Sequence, residues 1–327
     1  MQNEDDRDGP VALITGAMGQ DGTYLAERLV GMGWNTHGIA RRNTNASHGT
    51  AISGARVHTL DLTDGVATRN LILALQPDFV FHLAGISSVW QSWQNPELTA
   101  RVNGLSIVPI VDGCLAVQQS ANKSVVLVNA SSAEIFSGTN TSPQNEATPI
   151  SPTSPYGASK AFAHNMVQMY RERHLIGSNA ILYNHESPRR PDTFVTRKIV
   201  KAAVAIAQGR QPYLELGNVT AVRDWGWAPD FVDAMVRIAK LGQPDDFVVA
   251  TGESATVADF ARLAFEEVGL QNWTEYVRTS EAFKRPGDAA VLVGDATRAS
   301  ERLGWQPTVS LREIIHEMVK AEIGDRA

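Results

Sequence analysis

Tyr156 and Lys160 stand four residues apart in Tyr156-Gly157-Ala158-Ser159-Lys160. On a helix that spacing puts both side chains on one face, about one turn from each other. A free tyrosine is a poor base near neutral pH, with a pKa of about 10. A neighbouring ammonium favours the phenolate and is expected to lower that value. The pair can then take a proton from a substrate hydroxyl while a hydride leaves the same carbon. Upstream stands Ser131-Ser132-Ala133-Glu134. Ser132 can donate a hydrogen bond to a sugar hydroxyl or a developing oxyanion, and Glu134 offers a second acid/base group.

These groups need a scaffold and a hydride acceptor, and the N-terminus supplies the signal for both. The apolar run Val11-Ala12-Leu13-Ile14 reads as a buried parallel strand. Thr15-Gly16-Ala17-Met18-Gly19-Gln20-Asp21-Gly22 follows, and helical periodicity begins at Tyr24. A strand, a glycine turn and a helix start make a dinucleotide diphosphate site. The spacing differs from G-x-G-x-x-G and resembles the T-G-x-x-G-x-x-G loop of the short-chain dehydrogenase/reductase superfamily.

A second strand, Thr36 to Ala40, ends in Arg41-Arg42. NAD sites carry an acidic residue near this point, whereas two arginines suit a 2′-phosphate. NADP is therefore the expected cofactor. Asn43 to Ser53 reads as a polar loop. Asp61 closes the third strand, where it can meet the adenine amino group, and Leu62 can cover the ring. The fourth strand, Phe79 to Gly85, ends in small residues, and Leu83, Ala84 and Gly85 let the cofactor pass close to the backbone. His82 inside this strand reads as a bonded core residue. Ser87 and Ser88 follow on a loop placed to meet cofactor or sugar. A helical stretch spans 96–119, the fifth strand is Ser124 to Ala130, and the sixth is Ile181 to Asn184.

The chain has 327 residues, 43% hydrophobic and 20% charged, with a net charge of −6. That balance suits a globular α/β protein and disfavours nonspecific nucleic-acid binding. One cysteine, Cys114, allows no intramolecular disulfide and reads as core. No apolar run of about 18 residues and no leader is found, so a cytoplasmic protein without a membrane partner is expected. No metal site is expected.

The expected fold is a Rossmann-type doubly wound parallel sheet over 1–184. A mainly substrate-binding α/β part covers 185–327, with the segment near 225–241 returning to the sheet side. The part after 184 opens with a basic stretch holding Arg189, Arg190, Arg197 and Lys198, whose individual roles the sequence leaves open.

Beyond the glycine loop, several blocks narrow the family. They are Ser154-Pro155-Tyr156 with Lys160, Asn184-His185-Glu186-Ser187-Pro188-Arg189-Arg190, Phe194-Val195-Thr196-Arg197-Lys198, Leu216-Gly217-Asn218, and Arg223-Asp224-Trp225-Gly226. With them the chain is similar to GDP-mannose 4,6-dehydratases along nearly its full length. The resemblance implies that Tyr156 is the base at the sugar 4-hydroxyl, with Lys160 as its electrostatic partner. Ser132 stands where the family usually has threonine, and Glu134 at its active-site glutamate. His185 and Arg190 fall with the cofactor residues, and Arg41 and Arg42 with the NADP phosphate. Ser88, Asn184, Val195, Lys198, Leu216, Gly217, Asn218, Arg223, Arg285 and Asp288 fall on the nucleotide-sugar side. The implied reaction is an internal redox dehydration of GDP-mannose in a homodimer or homotetramer. An epimerase, a 4-ketosugar reductase and an NADP-binding regulator are the rival readings. The chain departs from the pattern at Glu134-Ile135-Phe136-Ser137, where members often have Glu-Leu-Tyr-Gly. Asp288 replaces a usual glutamate, and the loop after the arginine pair is short.

Overall fold

The computed structural model describes residues 9–41, 52–283, 289 and 291–324. Arg42, most of the loop 43–53, Arg285 and Asp288 lie outside the described residues.

The first half alternates strand and helix. Its elements are β1 (Val11–Thr15), α1 (Gln20–Gly31), β2 (Asn35–Ala40), β3 (Arg56–Thr59), α2 (Gly65–Leu75) and β4 (Phe79–His82). Then come α3 (Val89–Gln94), α4 (Pro96–Thr99), a π-helical turn (Ala100–Leu105) and α5 (Ile107–Ala121). β5 (Val126–Ser132), a 3-10 turn (Ala133–Phe136), α6 (Pro155–Arg171) and β6 (Ile176–Leu182) complete it. The second half holds β7 (Asn184–Glu186), α7 (Val195–Ala207), β8 (Leu214–Leu216), β9 (Val222–Trp227), α8 (Ala228–Leu241) and β10 (Asp246–Val249). It ends with β11 (Ser254–Thr256), α9 (Val257–Glu267), β12 (Val277–Thr279), β13 (Val291–Leu292), α10 (Thr297–Leu303) and α11 (Leu311–Gly324).

Seven strands form one parallel sheet in the order β10-β6-β5-β4-β1-β2-β3. The order reverses between β1 and β4, and in such sheets ligands bind beyond the strand ends at that point. Helices cover both faces. Phe81, Val128, Ile181 and Phe247 pack with Phe231, Met235 and Trp305 on one side. Val80, Leu127, Ile110 and Val167 fill the other. A second sheet, β11-β9-β13 with β7 on β9, lies over a separate core of Ile199, Val200, Phe260, Phe265 and Met318.

Several boundaries differ from the sequence reading: β3 ends at Thr59, short of Asp61 and Leu62, and β4 ends at His82, short of Leu83 to Gly85. β5 runs on to Ser132, so Ser131 and Ser132 belong to the strand itself. β6 begins at Ile176 although Gly177-Ser178-Asn179 looks polar. Asn179 is buried, receives a hydrogen bond from Asn129 and donates to Asp246, both at 2.8 Å. The return to the large sheet extends past 225–241 and includes β10 as its edge. The stretch Pro96–Ala121 is long and apolar enough to cross a membrane by length and composition. It is broken by the π-helical turn, and α5 packs on α2 and α6 as core. Cys114 is buried there, and burial pushes its thiol up to about 12.

Candidate active site

A cavity of about 460 Å³ opens at the C-terminal ends of β1, β4, β5 and β6. The glycine loop forms one wall. Gly16 has φ of +71°, a left-handed value that suits glycine. A Cβ on Gly22 would sit 2.2 Å from the Gly16 carbonyl, so the loop closes only without side chains there. Gly19 precedes α1 with no side-chain cap, which leaves the first amides of the helix for a ligand. An uncapped helix start behind a tight glycine turn fits a dinucleotide diphosphate.

Gly16, Gly19, Gln20, Asp21 and Gly22 line this wall, and Arg41, Asp61 and Leu62 continue it. Leu83, Ala84, Gly85, Ser87 and Ser88 form the floor. Thr15 lies beneath the lining. Its Oγ1 is 2.8 Å from His82 Nδ1 and accepts from the Ala84 amide at 3.1 Å, so it sets the path of the floor. Buried His82, pushed down to about 3 mainly by desolvation, is a neutral core residue. Asp61 accepts from the amide and hydroxyl of Thr63, both at 2.9 Å.

The catalytic candidates converge on the opposite wall. Ser154 caps α6 by accepting from the Gly157 amide at 3.0 Å, and Pro155 fits the first turn. A Cβ on Gly157 would lie 2.6 Å from the Glu134 carbonyl. Glycine there brings the start of α6, with Tyr156, against the 3-10 turn that carries Glu134. Ser132 accepts from the Glu134 amide at 3.3 Å and also hydrogen-bonds Tyr156. Ser132, Glu134, Tyr156 and Lys160 all line the one cleft.

The electrostatics differ from the expectation that Lys160 lowers Tyr156. Burial is the largest influence and pushes the phenol up to about 12; the Ser132 hydrogen bond opposes it and the Glu134 charge adds to it. The Lys160 ammonium donates to the Ala130 carbonyl at 2.8 Å, and burial brings it down to about 8. In this state the phenol holds its proton at neutral pH.

Asn184, His185, Arg190 and Val195 line the side of the cleft that faces the second sheet. Lys198, Leu216, Gly217, Asn218 and Arg223 lie outside its lining. Lys198 donates to the Glu215 carbonyl at 2.7 Å and sits 3.7 Å over the Phe283 ring. Leu216 is buried in β8, Asn218 accepts from the Thr220 amide at 3.0 Å, and Gly217 joins the two. Arg223 donates to the Val222 and Ala289 carbonyls, each at 2.8 Å.

Two contributors escaped the sequence reading. Asn103, on the π-helical turn, accepts from the Ile86 amide at 2.7 Å and donates to its carbonyl at 3.0 Å, fixing the floor. Glu186 lines the cleft as a buried carboxylate, and burial pushes it up although Arg190 and Thr196 partly offset this. Helix irregularity at Asn103 was the missing signal; a polar residue in an apolar helix is its only trace in sequence.

The sequence profile of the family described as GDP-mannose 4,6 dehydratase matches residues 13–318. The chain belongs to that family. GDP-mannose 4,6 dehydratase 2 of Arabidopsis thaliana is 40% identical over 325 residues, covering 96% of this chain and 87% of that one. The GDP-mannose 4,6 dehydratase of Homo sapiens is 37% identical over 341 residues, covering 96% and 91%. Among solved structures, UDP-glucose 4-epimerase of Thermotoga maritima superposes with a TM-score of 0.86 at 22% identity, covering 96% of this dehydratase-family chain and 99% of its own. The UDP-glucose 4-epimerase of Thermus thermophilus, complexed with NAD, gives 0.82 at 24% identity, covering 96% and 99%. These two share the fold.

Proposed function

We propose that this protein is a hydro-lyase that converts GDP-mannose to GDP-4-keto-6-deoxymannose with NADP. The observation that carries the reading is Glu134 beside Ser132, Tyr156 and Lys160 in one cleft of a GDP-mannose 4,6-dehydratase family chain. A plain oxidoreductase needs the tyrosine and lysine alone. A dehydratase also needs a carboxylate to move a proton between neighbouring carbons.

NADP held in this cleft would supply a hydride acceptor at C4 of the sugar and a hydride donor at C6. The chain's own groups do the rest. Tyr156, which burial keeps protonated in the ligand-free protein, first releases that proton to solvent; its phenolate Oη then accepts the 4-hydroxyl proton, with Ser132 bonding the same oxygen. The resulting ketone acidifies C5. Glu134 takes the C5 proton and delivers it to the C6 hydroxyl, which leaves as water, and Tyr156 returns its proton at C5. Lys160, fixed on Ala130, brings its ammonium to the floor of the cleft at Gly85. The 2′-phosphate of NADP falls to Arg41, which lines the cleft, with Arg42 next in the chain. Asn184 and Val195 meet the sugar side, and the family resemblance alone gives Lys198, Leu216 to Asn218, Arg223, Arg285 and Asp288 to the nucleotide. The seven-stranded sheet is thus the cofactor half, and most of the chain after 184 the substrate half.

Trp90, Trp93, Leu98, Leu105, Phe162 and Met169 are exposed on α3, α4, the π-helical turn and α6. So many large apolar groups on adjoining helices favour a homodimer through this face. A cytoplasmic location fits the single buried thiol.

The test is mass spectrometry after incubation with a panel of nucleotide hexoses and NADP+. Loss of one water from GDP-mannose supports the reading. An epimerised product of unchanged mass would replace it with an epimerase.

A further inference from the structure

Two carboxylates at the cleft, Asp21 and Glu186, have no part in the chemistry above. Asp21 lies in the first turn of α1 and His185 in the middle of β7, 164 residues later. Asp21 Oδ2 is 2.9 Å from His185 Nε2, and the Tyr183 carbonyl is 2.7 Å from His185 Nδ1. A neutral imidazole has one N–H and one lone pair. A carbonyl can only accept, and so can an ionised carboxylate. Both contacts are satisfied together when each ring nitrogen carries a proton. The ring also stacks on Phe231, with centroids 4.6 Å apart, which holds its plane.

Gln20 ties the same elements together. It accepts from the Ser187 hydroxyl at 2.8 Å and donates to the His185 carbonyl at 3.2 Å. Glu186 accepts from the Thr196 hydroxyl at 2.6 Å and forms an ion pair with Arg190 Nε at 3.2 Å, without hydrogen-bond geometry. Among the described residues, the charged groups coupled to His185 are Asp21 from α1, Glu186 from its own strand and Arg190 from the following loop, while α8 packs Phe231 on the ring. Burial opposes charge on both partners, yet Asp21 is held below its ordinary value and His185 above, because each stabilises the other.

We infer that Asp21 is a positioning residue: it holds His185 as a doubly donating imidazolium, and the pair clasps the helix start of the glycine loop to the strand that begins with Asn184. This turns a residue of the glycine loop from a ligand contact into a structural tie between the two sides of the cleft. What each side binds rests on the dehydratase reading; the clasp itself does not.

The experiment is a long-range 1H–15N spectrum of the ligand-free protein with 15N-labelled histidine, eight in number, near pH 7.5. His185→Asn identifies the signal. The expected result is two protonated ring nitrogens in the parent protein. In Asp21→Asn the ring is neutral at that pH, NADP+ binds roughly ten- to a hundredfold more weakly, as for one lost charge-assisted hydrogen bond, and kcat with saturating cofactor falls less than cofactor affinity. A neutral His185 in the parent, or a ring unchanged in Asp21→Asn, overturns the inference. A charged ring in a protein that leaves GDP-mannose untouched would spare the clasp and remove only the dehydratase reading.

Discussion

Replacing Glu134 by glutamine separates binding from dehydration. The local fold should survive, because the bonds that shape the 3-10 turn use the main chain of Glu134: its amide donates to Ser132 and its carbonyl accepts from Ser137 at 2.9 Å. Two effects of opposite sign follow at the site. The Glu134 charge raises Tyr156, so its removal lowers the phenol's pKa and makes the phenolate easier to form. The amide, however, cannot take the C5 proton. Losing a positioned acid/base group costs about 10²- to 10⁴-fold in rate, or about 3–5 kcal/mol of barrier. The second effect governs turnover. Mass spectrometry of the nucleotide sugar reads the loss of water, and titration calorimetry reads NADP+ binding, which should match the parent. A variant that sheds water at the parent rate would take Glu134 out of the reaction.

Other consequences are open to simpler measurements. Gly22→Ala puts a methyl 2.2 Å from the Gly16 carbonyl, and overpacking of that kind costs about 1–3 kcal/mol; a lower Tm with weakened NADP+ binding is expected, and parental values for both would contradict the loop geometry. Lys160, brought down to about 8 by burial, loses its charge as pH rises through that value. NADP+ affinity of the free enzyme, read by calorimetry, should therefore fall on the alkaline side of pH 8; a profile still flat a full unit higher argues against the assigned role. Asp246 is held below 3.8 although burial opposes it, because the Arg171 hydrogen bond and the His164 and Arg171 charges outweigh burial. Its folded pKa is depressed, so its stabilisation is complete above the unfolded value and lost as pH falls through the folded one. Asp246→Asn should cost about 3–5 kcal/mol at neutral pH, as for a broken buried pair, and flatten the acid limb of thermal stability; an unchanged Tm at neutral pH would show that the pair contributes nothing.

Much of the glycine-loop side could be read from residue types because backbone geometry restricts them. Gly16 at positive φ and Gly22 against a carbonyl leave little choice but glycine. Parallel strands buried on both faces likewise announce themselves as apolar runs, as β1 does. The start of β6 stayed hidden because its polar residues are satisfied by partners on other elements, Asn129 and Asp246. Helical spacing put Tyr156 near Lys160 but carried no information on burial, and burial decides the phenol's pKa. The Asp21–His185 pair joins positions 164 residues apart and has no local pattern. Lys198 and Arg223 came from family resemblance; in the structure each is bonded to main-chain carbonyls outside the cleft lining.

Internal hydride transfer has one direct test. GDP-mannose carrying deuterium at C4 should yield GDP-4-keto-6-deoxymannose with that deuterium at C6, lighter than substrate by one water, and with no accumulation of reduced cofactor. Deuterium retained at C4 of an isomerised sugar, or transferred into a pool of free NADPH, would contradict the account.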